Sequence, residues 1–420
     1  MPIRKINLIH PVKNAFALQA ANAFKKAGIL NRLYTTYFYK ESVVLKLLKK
    51  ISPGIYTNIH NELKRRDWQV DASYIVSKPW IEYKRIFLLK SGLSKRLKLS
   101  SHTLNSRMYD DFDKTVSAMK WDTIDAVYAY EDCSLRSFRK AKKLGVVCLY
   151  DLPIVHHETA KEILGREVEL FPEFKSCLAT VNEPDWKIKK KEEELAMADL
   201  IFVPSDFVKN SVTRLGIPSE KVKVNVFGAP IEKFTPLEKT DNIFRPIFVG
   251  GIGPRKGVHY LIQAWKELNL PGAELLLVGI DLFPQGWLKE QIKDANIRFV
   301  ASVPHHQLPQ YYASADCFVF PSLAEGLALV QLEAMACGLP VITTPNAGAE
   351  NIIKEGENGF LIPVRNIEAL KEKILYLYEH PHEKQQMRLA ARKTAEYFTW
   401  ERYQNFLLQS IEQYDSSKRP

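Results

Sequence analysis

The feature that most constrains this chain is an alternation along its length. A short apolar run is followed by a stretch with helical spacing, and the pair then recurs. In the C-terminal half the runs are residues 246–249, 274–278, 297–300, 316–320 and 340–343, rich in Val, Ile and Phe. Between most of them, apolar residues return every three or four positions, as in 257–268 and 328–337. Strands alternating with helices make a parallel sheet covered by helices on both faces. The near-continuous apolar character of the runs agrees, because such strands are buried on both sides. The N-terminal half keeps the rhythm less clearly. Residues 5–9, 33–37, 125–129, 146–150, 200–203 and 222–226 read as strands, and 14–27 and 134–144 as helices. Residues 38–110 interrupt it with a basic, aromatic stretch holding Tyr56, Trp68, Tyr74, Trp80, Tyr83 and Phe87. This stretch is expected to be a helical excursion.

A chain of 420 residues is long enough for two domains of this kind. Residues 227–244 carry two prolines, one glycine and mixed charge, the composition of a linker. The expected organisation is an α/β chain of two Rossmann-like domains whose parallel sheets face each other across a cleft. Residues 1–228 form the first, with the excursion at about 38–110. Residues 229–398 form the second, and 399–420 a closing helix. The hydrophobic share of 46% and charged share of 25% exclude a mainly disordered chain. Cys133, Cys148, Cys177, Cys317 and Cys337 are scattered with no CxxC spacing, which argues against a disulfide framework or a cysteine zinc site. The first 16 residues lack a signal-peptide core, and no run of 18 uncharged apolar residues occurs. A cytoplasmic location is expected, with the inner face of the membrane as its alternative. Charge is uneven. Residues 1–110 hold 21 Lys and Arg against 6 Asp and Glu, and the remainder holds 38 against 42. A basic part on a near-neutral body points to an anionic partner: membrane headgroups, nucleic acid or phosphorylated substrates.

Two segments carry candidate chemistry. Residues 316–345 read as a buried strand, a loop with Ser322, Glu325 and Gly326, and a helix from near Leu327 to Cys337. Ligands of open α/β sheets lie outside the carboxyl ends of the strands, and a helix N-terminus there attracts phosphate. Glu325 and, eight residues on, Glu333 fall at that place. Taken alone, both could be solvated glutamates. Residues 248–264 read as a strand ending in Gly250-Gly251, then Arg255 and Lys256, then a helix. A guanidinium and an ammonium there could hold a diphosphate and stabilise charge on a leaving phosphate. The segment is neither a dinucleotide fingerprint nor a P-loop, because the required glycine and GK[ST] are absent.

Together these segments resemble glycosyltransferase family 4, retaining enzymes of the GT-B fold. The resemblance rests on the pattern PS..EG..L..LEAMA.G.PVI and on the spacing Glu325-x7-Glu333, and covers about residues 245–400. It implies a nucleotide-sugar donor, a UDP- or GDP-sugar, and a metal-independent hexosyl transfer to an acceptor hydroxyl. Cell-surface polysaccharide or glycolipid synthesis is the setting implied. Glu325 would contact the donor sugar near its anomeric carbon, Glu333 the ribose hydroxyls, and Lys256 the phosphate. The family's usual arginine falls at Gly251, and Arg255 is expected to substitute. Gly326, Leu327, Ala328 and Leu329 would present backbone to the donor, with alanine where the family's second glycine stands. Val303 belongs to the segment 302–307 that would hold the base. His156, after the strand 146–150, would face the donor and acceptor, with His157 second. The alternatives are exposed loop histidines or a metal pair. His10 and Asn14, in the first loop, would lie on the acceptor side. The closing helix would cross back onto the first domain.

No cofactor and no metal site are expected. Asp111 and Asp113 have the spacing of metal-binding transferases but sit in a helical stretch. Lys189–Lys191 with Glu192–Glu194 read as a solvated helix face. Lys64, Arg65 and Arg66 beside Trp68 suit a membrane interface better than nucleic acid. The expected partners are therefore a nucleotide-sugar, a glycan or lipid-linked acceptor, and an anionic membrane touched by the basic part. Rival readings are a nucleotide-sugar epimerase or phosphorylase of the same fold, and a non-catalytic glycan- or nucleic-acid-binding protein on a degenerate scaffold.

Overall fold

The computed structural model describes residues 3–38, 43–54, 56–57, 60, 66–90, 93–97 and 100–417. Lys64 and Arg65 of the basic cluster lie outside the described residues. The chain forms two compact units. One comprises Met1–Asp151, Pro184–Phe202 and Gln404–Pro420; the other comprises Leu152–Glu183 and Val203–Tyr403.

The first sheet has seven strands: β1 (Ile6–Ile9), β2 (Leu30–Thr35), β3 (Ile75–Ser77), β4 (Ala126–Tyr130), β5 (Val147–Asp151), β6 (Leu200–Val203) and β7 (Val222–Val224). Their order is β3-β2-β1-β4-β5-β6-β7. The second has six: β8 (Pro246–Ile252), β9 (Leu275–Asp281), β10 (Ile297–Val300), β11 (Cys317–Phe320), β12 (Val341–Thr343) and β13 (Gly359–Leu361), in the order β10-β9-β8-β11-β12-β13. The pairings are parallel, with Ile6 opposite Ala126 in one sheet and Phe318 opposite Val341 in the other. The α/β class and two Rossmann-like sheets expected from the rhythm are therefore present. Each order reverses once, between β1 and β4 and between β8 and β11. Such reversals open a crevice at the strand ends, where ligands bind.

Every residue of β11 is fully buried, and Phe320 stacks on Phe248 of β8 at 5.5 Å. Burial on both faces is why these strands read as unbroken apolar runs. β3 and β13 escape that reading. Each is a three-residue edge strand, too short for a period to show. The interval 38–110 thus contributes helices Val43–Ile51, Pro79–Lys90, Leu93–Arg96 and the start of Ser101–Ala118, but also β3.

One charged stretch differs from its sequence reading. Lys190, Lys191 and Glu194 are buried, not solvated. Glu194 accepts the backbone N–H groups of Asp132, Ser134 and Leu135 at 2.8–3.0 Å, holding the turn after β4. Lys190 reaches Asp110 at 3.1 Å and the carbonyl of Asp132 at 2.6 Å. Asp113 is likewise structural. It is fully buried and accepts from the N–H groups of Arg136 and Ser137, capping the helix Leu135–Lys143.

Candidate functional site

The crevice between β8 and β11 lies in the second unit. Past β8 the chain makes a short turn, Pro254–Lys256, and Gly257 then starts the helix Val258–Leu268. Gly257 has φ +66°, and a Cβ there would sit 2.1 Å from the carbonyl oxygen of Pro321. Only glycine lets this turn press against the end of β11. Arg255 and Lys256 are thereby delivered to the loop after β11. The Leu323 N–H donates to the Arg255 carbonyl at 3.0 Å and stitches the two loops together.

Glu325 stands between the two cations. Its Oε1 accepts from Arg255 Nη1 at 2.6 Å and pairs with Lys256 Nζ. The Ser322 hydroxyl lies 3.4 Å from the same oxygen, and Arg255 also donates to the Ala324 carbonyl at 2.9 Å. Lys256 Nζ sits over the Phe320 ring, 4.9 Å from its centroid. Burial lowers the Lys256 ammonium to about 8; Glu325 works against that lowering and Arg255 adds to it. For Glu325 burial acts upward, and Lys256 and Arg255 outweigh it, so its carboxyl is held below the usual range. The result is a desolvated cluster with two positive charges and one negative. Its net positive charge can attract a phosphate.

The helix that follows is Leu329–Ala336, starting two residues later than its sequence suggested. Ala328 is its N-cap and offers no side-chain cap. Its first N–H groups therefore keep the dipole's positive end for another anion. Glu333 is in the second turn, 6% exposed. It takes His305 Nε2 on one oxygen at 2.8 Å and the Tyr312 hydroxyl on the other at 3.4 Å. His305 belongs to the segment after β10 that also contains Val303, so Glu333 and that segment are brought together. The Glu333 contact pushes the His305 imidazole up, against an opposing effect of burial.

Gly326 is a second obligatory glycine, here because of close approach. A Cβ on it would lie 1.9 Å from the Pro153 carbonyl oxygen and 3.0 Å from Ile154 Cα. Its own carbonyl accepts from Ser205 Oγ at 2.7 Å. The turn carrying His156 and His157 thus packs against the Glu325–Gly326 loop. His156 caps the helix His157–Leu170 by accepting from the Glu158 N–H, and its own N–H donates to Ser211 Oγ at 3.1 Å. Both histidines are buried, 3% and 6% exposed, with ring centroids 4.1 Å apart. They are not exposed loop residues. Gly251, where an arginine was expected, closes β8 beside Leu282; a Cβ there would meet Leu282 Cδ1 at 2.7 Å.

The first sheet has its own crevice, and His10 and Asn14 are in it. Asn14 caps the helix Ala15–Lys26 through the Ala17 N–H, and its amide nitrogen lies 3.1 Å from His10 Nε2. His10 is surrounded by Phe16, Trp68, Tyr109 and Tyr130, and burial lowers its pKa to about 4. It is a neutral side chain at pH 7. Asp151, at the end of β5, was not singled out from the sequence. Burial raises its carboxyl to about 7, while the Tyr128 hydroxyl donating at 2.5 Å acts to lower it. Its only sequence signal is its place as the single acid closing an apolar strand. Among the described residues no group of three His, Cys, Asp or Glu could hold a metal ion, and no helix is long and apolar enough to cross a membrane.

Residues 230–394 match the family model described as glycosyl transferases group 1. Spore coat protein SA of Bacillus subtilis is 30% identical over 54% of this chain and 68% of its own length. O-antigen chain mannosyltransferase B of Escherichia coli is 27% identical over 54% of this chain and 63% of its own. The chain spans about half to two thirds of the length of the curated relatives it matches. Anabaena HepE, solved in complex with UDP, aligns at a TM-score of 0.63 with 18% identity, covering 98% of this chain and 100% of that one. This likeness is one of fold, and the fold is GT-B. With the second sheet, its crevice and the loops after β8 and β11 all inside the matched region, the chain belongs to the glycosyl transferases group 1 family.

Proposed function

We propose that this protein is a retaining glycosyltransferase of family 4 that moves a sugar from a nucleotide-sugar to an acceptor hydroxyl. The observation that carries this reading is the Arg255–Lys256–Glu325 cluster beside the uncapped N-terminus of the helix Leu329–Ala336. A diphosphate would bridge the two cations and the backbone N–H groups at Leu327 and Leu329, the Ala328 N–H already donating to the Ala347 carbonyl at 3.4 Å. Glu325, displaced from the cations, would accept hydrogen bonds from hydroxyls of the donor sugar. Glu333, spaced eight residues on, would take the ribose hydroxyls with Val303 and its neighbours beside the base.

The chemistry then needs no second carboxylate. The glycosidic carbon–oxygen bond to the diphosphate lengthens, and the departing phosphate oxygen removes the proton of the acceptor hydroxyl attacking from the same face. Arg255 and Lys256 stabilise the charge that develops on the leaving group, in a buried setting where such stabilisation is strong. Two fixed cations thereby supply the electrostatics a metal would otherwise bring. The turn bearing His156 and His157 packs on Gly326, and His156 would face donor and acceptor, with His157 second.

The donor is a UDP- or GDP-sugar; UDP is the first probe, because the HepE structure holds it. The mannosyltransferase named above builds O-antigen, and synthesis of a surface polysaccharide or glycolipid is the corresponding role here. An acceptor carried by a lipid would bring the basic N-terminal part to an anionic membrane. The test is a panel of UDP- and GDP-sugars incubated with the protein in EDTA, with the anomer of the first released or transferred sugar read by NMR. Retained configuration supports the reading. Inverted product, or turnover that demands a metal, overturns it.

A further inference from the structure

The helix Pro79–Lys90 packs in an inverted way. Its carboxylate, Glu82, is fully buried, held by Arg85 at 2.5 and 3.0 Å and by Arg66 at 2.6 Å. Its aromatic residues point the other way, while Ile81, Ile86, Leu88 and Leu89 are half-buried. Trp80 is 81% exposed, Phe87 65% and Tyr83 45%. At 100° per residue these three fall within about 60° of one another, a single stripe. Trp80 and Tyr83 stand edge to face, with centroids 6.0 Å apart. Lys84 borders the stripe, 67% exposed. Two other helices of the interval 38–110 repeat the mixture: Leu47 and Ile51 are exposed among Lys46, Lys49 and Lys50, and Leu97 is exposed beside Arg96. Among the described residues, Trp80 is the most exposed large apolar side chain.

We propose that this face docks the protein onto an anionic membrane surface. A contiguous exposed aromatic stripe marks an interaction site. Trp and Tyr side chains, apolar with one polar atom, are suited to the headgroup level, and Phe to the acyl boundary beneath it. The charge decides between a membrane and another protein surface. Residues 1–110 carry 21 basic against 6 acidic residues, while the rest of the chain has a slight acidic excess. That asymmetry orients the first unit toward a negative surface. The inference rests on the proposed function only for its purpose, which is to bring the protein to a lipid-linked acceptor.

The experiment is co-sedimentation with vesicles of phosphatidylcholine alone or with 30% phosphatidylglycerol, at low and high salt, for wild type, Trp80→Ser/Phe87→Ser and Leu389→Ser. Leu389 is an exposed apolar residue of the second unit, 54% exposed, and serves as the control. Binding is expected only to the anionic vesicles and should weaken with salt. The double variant should lose about tenfold or more in affinity, on the scale of two interfacial side chains removed. Leu389→Ser should bind as wild type. Equal binding by the double variant overturns the proposal. So does preference for a single-stranded oligonucleotide over vesicles, or a concentration-dependent dimer that the double variant abolishes. The nucleotide-induced melting shift of the same variants reports the donor site separately, so failure of docking and failure of the transferase reading are distinguishable.

Discussion

In the proposed reaction Glu325 is the residue on which the chemistry turns. It neutralises part of the charge on Arg255 and Lys256, and a diphosphate would compete with it for the same two groups. Glu325→Gln keeps the shape and removes the charge. It should lower turnover by about tenfold to a thousandfold, the scale of positioned polar groups, with the fold intact by circular dichroism. Unchanged turnover would remove Glu325 from the mechanism. Lys256 gives a second test because its two pH effects have opposite signs. Its folded pKa, about 8, lies below the ordinary lysine value. Between the two values the unfolded chain binds more protons, so this group makes stability rise with pH above about 8. Nucleotide affinity should fall over the same window, as the ammonium loses its charge. Titrations of melting temperature and of nucleotide affinity check this, and Lys256→Met should flatten both. At this scale the sequence was enough to place Lys256 and Glu325 on loops at strand ends and Glu333 on the helix that follows. It was silent on Glu325 pairing with both cations, on the His305–Glu333 contact, and on Asp151, because these depend on residues far apart in the chain.

At the scale of elements, two turns are fixed by glycine and one segment by a buried charge. Gly326→Ala would drive a methyl into the Pro153 carbonyl, 1.9 Å away. It should cost about 1–3 kcal/mol in denaturant unfolding, typical of overpacking, and should weaken donor binding by displacing the Glu325 loop. Leu152–Glu183 is tied to the rest of its unit by Glu167, fully buried, which meets His259 at 2.6 Å and Arg365 at 2.7 Å. Removing one partner of such a pair strands the other charge. Glu167→Ala should cost about 3 kcal/mol and speed proteolysis within that segment. Stability within error of wild type would show the contact to be dispensable. The core strands and capped helices were readable, because burial on both faces leaves an unbroken apolar run. The solvated face expected of residues 189–194 does not form as a whole, because Lys190, Lys191 and Glu194 are buried through partners in other segments. No local pattern announces that.

The whole molecule combines two doubly wound sheets, each with one reversal of strand order, and a charge concentrated in the first 110 residues. The rhythm of the sequence was enough for that class of fold, since each strand–helix unit is local. The association of Leu152–Glu183 with the second unit was not legible, since it depends on contacts such as Glu167–Arg365, 198 residues apart. The central claim is that the crevice between β8 and β11 binds a nucleoside diphosphate through Lys256, Glu325 and Glu333 without a metal. Thermal unfolding with UDP, GDP and ADP in EDTA, for wild type and Glu333→Ala, tests it most directly. Ligand bound only to the native state raises the melting temperature according to its affinity. A rise with UDP or GDP that Glu333→Ala abolishes is expected. No rise with any nucleotide, or a rise that Glu333→Ala leaves intact, would contradict it.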